Sequence, residues 1–181
     1  MRPQFDEQLR NQQKVLVMVW YSFVFMILFF LSVPVVLKGN LGPLSGESAT
    51  EFLRRAFWFL VILQTVFLVW WKKRFFNVER LIEASTKGII LEKFVRGAQN
   101  PAEKRLGKMI LNYFMRSVLA FGIAESIALY GLILWVLGYH SVDQYTFSTV
   151  SLLLVLYFFP SNRLFAQILE QAETLNHRVL S

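Results

Sequence analysis

The sequence predicts an all-α, polytopic membrane protein: four transmembrane helices with a helical cytoplasmic extension between the second and third. Three observations carry this. The 181 residues are 55% hydrophobic, with mean hydropathy +0.45, and the apolar residues are gathered into long runs rather than dispersed at amphipathic spacing. The longest run, residues 15–37, holds no charge and exceeds the roughly 20 residues that a span requires. The cations are unevenly placed: residues 72–109 hold ten Lys or Arg, residues 38–55 hold three, and residues 139–143 hold none. Positive charge marks the cytoplasmic side.

The elements follow in order. The N-terminal tail carries Arg2, Arg10 and Lys14. The first span, 15–37, is too long for the apolar region of a signal peptide, and no small-residue cleavage site follows it directly, so it reads as a retained helix. The turn-rich "GNLGPLSGES" hands over to the second helix, with Ser48 or Thr50 as cap. The second span, 56–71, is short, but Arg54, Arg55, Lys72, Lys73 and Arg74 flank it and can snorkel to the headgroups. In the basic cytoplasmic hairpin, 72–109, Val78, Leu81, Ile82, Ile90, Phe94 and Val95 recur at helical spacing, with Gly88 as a break. Asn100 as cap, Pro101 at the first helical position and Glu103 in the first turn start another helix. Carried on through the third span, 112–138, it is one rod of roughly 57 Å. His140 and Asp143 flank an outer turn and read as residues of an ordinary capped turn, with a pH-sensing or ligand role as the alternative. The fourth span, 144–160, ends at Pro160. Trp70, Trp71, Tyr113 and Phe114 fall where an inner aromatic belt lies, and Arg116 snorkels there. The chain 1–181 is thus read as a single membrane domain, multi-pass, with both termini in the cytoplasm of a bacterial inner membrane.

Composition narrows the function. With no cysteine there is no disulfide, thiolate metal site or cysteine nucleophile. The two histidines, His140 and His177, form no metal-ligand spacing, and no catalytic constellation or cofactor motif is present, so no enzyme and no cofactor are expected. The net charge of +7 is explained by topology and by attraction to anionic headgroups, not by nucleic acid.

The candidate site lies in "FGIAESIALYGLIL", residues 121–134. Glu125 is nine residues inside Arg116, roughly 13 Å from the inner end of its span, near mid-bilayer. A charge there costs about 2.5–3.5 kcal/mol even on the forgiving insertion scale. The acid is therefore expected to be held neutral or compensated, to face other helices and to have partners. Ser126 and Tyr130 lie close by. Ala120, Ala124, Ala128 and Gly131 form a small-residue face that lets another helix approach. Gln64 and Thr65 are the only strongly polar side chains of the second span, and Gln64 is eight residues from Lys72, roughly 12 Å from the same surface. Gln64 and Glu125 thus share a depth, and the second and third spans are expected to pack with Gln64 near Glu125 and Ala124 or Ala128 at the contact.

The stretch from Ala124 through Glu125, Ser126, Ile127, Ala128, Leu129, Tyr130, Gly131 and Leu132 resembles the ion-binding helix of rotary ATPase proteolipids, the c-type subunits. The resemblance implies a carboxylate, Glu125, that carries H⁺ or Na⁺. It also implies a neighbouring hydroxyl from Ser126, a capping phenol from Tyr130 and a glutamine from a partner helix, the part that Gln64 fills.

Three readings of Glu125 follow: a cation site for H⁺ or Na⁺, with Ser126, Tyr130, Gln64 and Thr65 around it; a neutral, hydrogen-bonded structural acid; or an assembly contact to another membrane subunit. The functional expectation is a small membrane protein that binds or conducts a cation, as a homo-oligomer or in a larger complex. The alternative is a non-transporting scaffold or assembly factor that works through its basic hairpin.

Overall fold

The computed structural model describes residues 3–37, 47–77, 80–81, 101–138, 140–160, 166–167 and 170. Four helices contain nearly all of them: α1 (Pro3–Leu37), α2 (Glu47–Phe75), α3 (Pro101–Gly138) and α4 (Ser141–Tyr157). Among the described residues there is no strand. Three helices are long and apolar enough to cross a membrane, over Arg10–Leu37, Thr50–Phe75 and Glu103–Gly138.

The helix ends refine the sequence reading. Helix α2 begins at Glu47, so Ser48 and Thr50 lie within its first turn rather than ahead of it. Its last turn carries Lys72, Lys73 and Arg74, where cations complement the negative end of the helix dipole. Helix α3 runs unbroken for 38 residues from Pro101, with Glu103 in its first turn. Helix α4 starts at Ser141, so Asp143 belongs to its first turn rather than to a loop. It ends at Tyr157, before Pro160 is reached, because a proline biases the preceding residue away from helical geometry. The helical hairpin expected at 78–95, the cap at Asn100 and the turn at 38–46 lie outside the described residues, apart from Arg80 and Leu81.

The chain divides into two compact units. The larger comprises Val19–Trp70 and Leu119–Phe159 and contains the middle of all four helices. Its contacts fix the directions. Phe57 and Gln64 meet Tyr130 and Ser126, Gly131 and Ala124 meet Gln144 and Ser151, and Trp20 and Phe30 meet Val155 and Gln144, each pair in opposite senses, so consecutive helices alternate up and down. Large side chains such as Ile27, Leu68, Phe121, Trp135 and Phe147 are fully buried in the bundle. Its outer surface is just as apolar: Phe25, Phe52, Phe59 and Val142 are each exposed by more than two thirds. Such a surface suits hydrocarbon, not water. Exposed hydroxyls are satisfied within their own helices, Thr146 on the Val142 carbonyl and Thr149 on the Tyr145 carbonyl, both at 2.7 Å.

Two main-chain defects in this unit are repaired across helices. Pro34 lies inside α1 and has no N–H, so the Phe30 carbonyl, four residues earlier, loses its helical donor. Gln144 of α4 supplies the replacement, its Nε2 donating to Phe30 at 2.8 Å. The Val155 carbonyl lies in the last turn of α4, where helical donors run out. The Trp20 indole of α1 donates to it at 2.9 Å. A buried unpaired carbonyl costs about 1–3 kcal/mol. These two bonds therefore fix the register of α1 on α4 as well as satisfying it.

The smaller unit comprises Met1–Met18, Trp71–Val118 and Pro160–Ser181. Leu16, Leu81, Leu106, Met109 and Ile110 are buried within it. Arg116 does not simply snorkel. Its Nη1 donates to the Phe75 carbonyl at 2.6 Å, and its guanidinium lies 5.5 Å from the Phe75 ring centroid. It thus caps the C-terminal turn of α2. Phe76 continues the contact edge-on to Tyr113, with ring centroids 5.8 Å apart.

Candidate functional site

The larger unit holds two polar clusters. The first is the layer anticipated around Glu125. Gln64 of α2 faces α3: its Nε2 donates to the Tyr130 hydroxyl at 3.0 Å, and the Ser126 hydroxyl reaches its Oε1 at 3.4 Å. Ser126 also donates to the Ile123 carbonyl at 2.8 Å. Phe57, two turns from Gln64 on α2, stacks on the Tyr130 ring with centroids 4.8 Å apart and planes 13° apart, which holds the phenol in place.

The rotation of α3 explains which residues meet. Ser126 and Tyr130 are four apart and share a face, whereas Glu125 is turned about 100° from Ser126. Glu125 is half-buried, and among the described residues it makes no hydrogen bond or ion pair. Gln64, Ser126 and Tyr130 are therefore brought together, and Glu125 is beside them but not bonded to them. The Tyr130 hydroxyl accepts from Gln64 instead of donating to Glu125. Thr65 is turned away from Gln64, and its Oγ1 is buried without a partner among the described residues.

The small-residue face of α3 meets α4 at Ala124 and Gly131. Ala120, Ala124 and Ala128 are buried. Ser151 of α4 donates to the Ala124 carbonyl at 2.6 Å. A Cβ on Gly131 would stand 2.7 Å from Gln144 Oε1 and 3.0 Å from the Gln144 Cα, so only glycine allows this approach. On the opposite side, Gly122 has nothing within 4 Å of a Cβ position and is exposed with Leu119 and Leu129.

The second cluster was not legible beforehand. Asp143, only 2% exposed, receives Arg54 Nε on Oδ2 at 2.6 Å and Arg54 Nη2 on Oδ1 at 3.4 Å. The Trp58 indole donates to Oδ1 at 3.1 Å. His140 Nδ1 lies 3.9 Å from Oδ2. Trp58 also packs edge-on against Phe147, with centroids 4.8 Å apart. Sequence alone marks Arg54 as a snorkelling cation and Asp143 as a turn residue. The available signal was an acid at the start of one span and a cation at the start of another, both on the side depleted of positive charge. Arg54 and Trp58 are four apart on one face of α2, and that spacing lets both reach one carboxylate.

Chemically, the clusters differ. The Asp143 cluster is a closed ion pair, with both carboxylate oxygens taken. The Glu125 layer offers an unpaired acid next to neutral oxygen ligands, the type that suits a proton or a hard cation. No group of three His, Cys, Asp or Glu residues able to hold a metal ion occurs among the described residues. No protein-family model, no curated protein and no solved structure matches the chain.

Proposed function

We propose that the chain is a small integral membrane protein that binds or conducts a cation, H⁺ or Na⁺, at Glu125, and that it works as an oligomer or in a larger membrane complex. One observation carries this reading. Glu125 is half-buried without a partner among the described residues, at the height where Gln64, Ser126 and Tyr130 place three further polar side chains. An acid at membrane depth needs a proton, a cation or a neighbouring subunit to offset its desolvation. The half-exposed position on α3 leaves it reachable by any of these.

In this reading all four helices span. Helix α4, at 17 residues or about 26 Å, makes up the remaining thickness with its flanking residues. Both termini and residues 72–109 lie in the cytoplasm, with the cations of that segment against anionic headgroups of a bacterial inner membrane. Labelling of Ser85→Cys from outside intact cells would overturn this topology.

The site is tested with a hydrophobic carbodiimide on the protein in membranes. The expected result is a covalent adduct at Glu125, suppressed by Na⁺ for a sodium site or only by raised pH for a proton site. No adduct, or one indifferent to both Na⁺ and pH, sinks the cation reading. The scaffold function through the basic hairpin would then take its place.

A further inference from the structure

Helix α4 carries a buried polar row that is left incomplete. Gln144, Ser148 and Ser151 are each fully buried, and their i, i+4, i+7 spacing puts them on one face. The two ends of the row are anchored on α3, Gln144 against Gly131 and Ser151 on the Ala124 carbonyl. Ser148 falls between these anchors, one turn from each.

The amide of Gln144 has only one orientation. Its nitrogen must face Phe30, because that carbonyl needs a donor where Pro34 provides none. The oxygen, Oε1, is thereby turned into the bundle, where it is buried with no partner among the described residues. Ser148 Oγ is buried and equally without a partner among them. Two such atoms on side chains one turn apart on the same helix face are rare, since buried polar groups nearly always find protein or water. Each loses its hydration without replacement if left dry.

We infer that one internal water molecule is bound at the α3–α4 contact, donating to Gln144 Oε1 and hydrogen-bonded to Ser148 Oγ. Side chains one turn apart have Cβ atoms about 5–6 Å apart, roughly two hydrogen-bond lengths. One oxygen bridges that gap. Two polar partners are the minimum that holds a buried water. Gly131 keeps the amide oxygen in place, since any side chain there would strike it at 2.7 Å. The inference is independent of Glu125.

The test is radiolytic hydroxyl labelling of the full-length protein in lipid nanodiscs, with rapid mixing into ¹⁸O water. Phe147, fully buried and between Gln144 and Ser148 in the chain, is the reporter. In the wild type it is expected to take up hydroxyl from slowly exchanging water despite its burial. Ser148→Ala should lower that uptake several-fold without loss of helicity. A wild-type Phe147 that stays unlabelled overturns the inference, as does equal labelling in wild type and Ser148→Ala.

Discussion

Asp143 and Glu125, two acids of the same helical unit, are treated in opposite ways. Asp143 is almost wholly buried, yet its two oxygens take three hydrogen bonds from Arg54 and Trp58. Glu125 is only half-buried, yet has no partner among the described residues. Burial alone therefore does not decide which acid is paired. The acid at Asp143 is consumed by the fold, where it ties α2 to α4. The acid at Glu125 adds no bond among the described residues, and the proposed cation site rests on that difference.

The contrast can be broken most severely from the Asp143 side. Arg54→Ala leaves a buried carboxylate with only the Trp58 indole bonded and the His140 imidazole 3.9 Å away, and loss of one partner of a buried pair costs about 3–5 kcal/mol. The Arg54 side chain is 39% exposed, which places the expected loss at the low end, about 3 kcal/mol. Reversible unfolding in mixed micelles measures it. A change below about 0.5 kcal/mol, the size of an ordinary surface substitution, would remove Asp143 from its role as anchor.

Next in size is Gly131→Ala. Its methyl would meet both the side chain and the main chain of Gln144, at 2.7 and 3.0 Å. Overpacking of this kind costs about 1–3 kcal/mol. The same measurement on Gly122→Ala, where the added Cβ meets nothing within 4 Å, should show no loss. Equal effects at the two glycines would contradict the assignment of the small face to α4.

Gln64→Leu should cost about 1 kcal/mol, the net worth of a typical hydrogen bond, because Tyr130 and Ser126 lose their shared partner. Under the sodium-site reading it should also weaken Na⁺ protection of Glu125. A loss of stability with unchanged protection would make Gln64 a packing residue. The smallest effect on stability is expected from Glu125→Gln, which breaks no hydrogen bond among the described residues and should shift unfolding by less than about 0.5 kcal/mol. It should nevertheless abolish the carbodiimide adduct. A large destabilisation would erase the difference between the two acids and return Glu125 to a structural role.

What the sequence by itself determined was position along helix axes. Uncharged runs located the apolar helices, and Asn-Pro followed by Glu103 located the start of α3 at Pro101. Counting residues inward from Lys72 and Arg116 put Gln64 at the height of Glu125, and the contact between Gln64 and Ser126, the next residue, agrees with that count. This works because the rise per residue is fixed by local backbone geometry. What only the tertiary structure decided was rotation and partnership. Glu125 and Ser126 are adjacent in sequence, but the packing of α3 turned Ser126 toward Gln64 and left Glu125 without a bond among the described residues. Arg54 found Asp143 across 89 residues, and Gln144 found the carbonyl that Pro34 orphans across 114. Helix rotation is set by long-range packing of several faces at once, and no local count of residues carries that information.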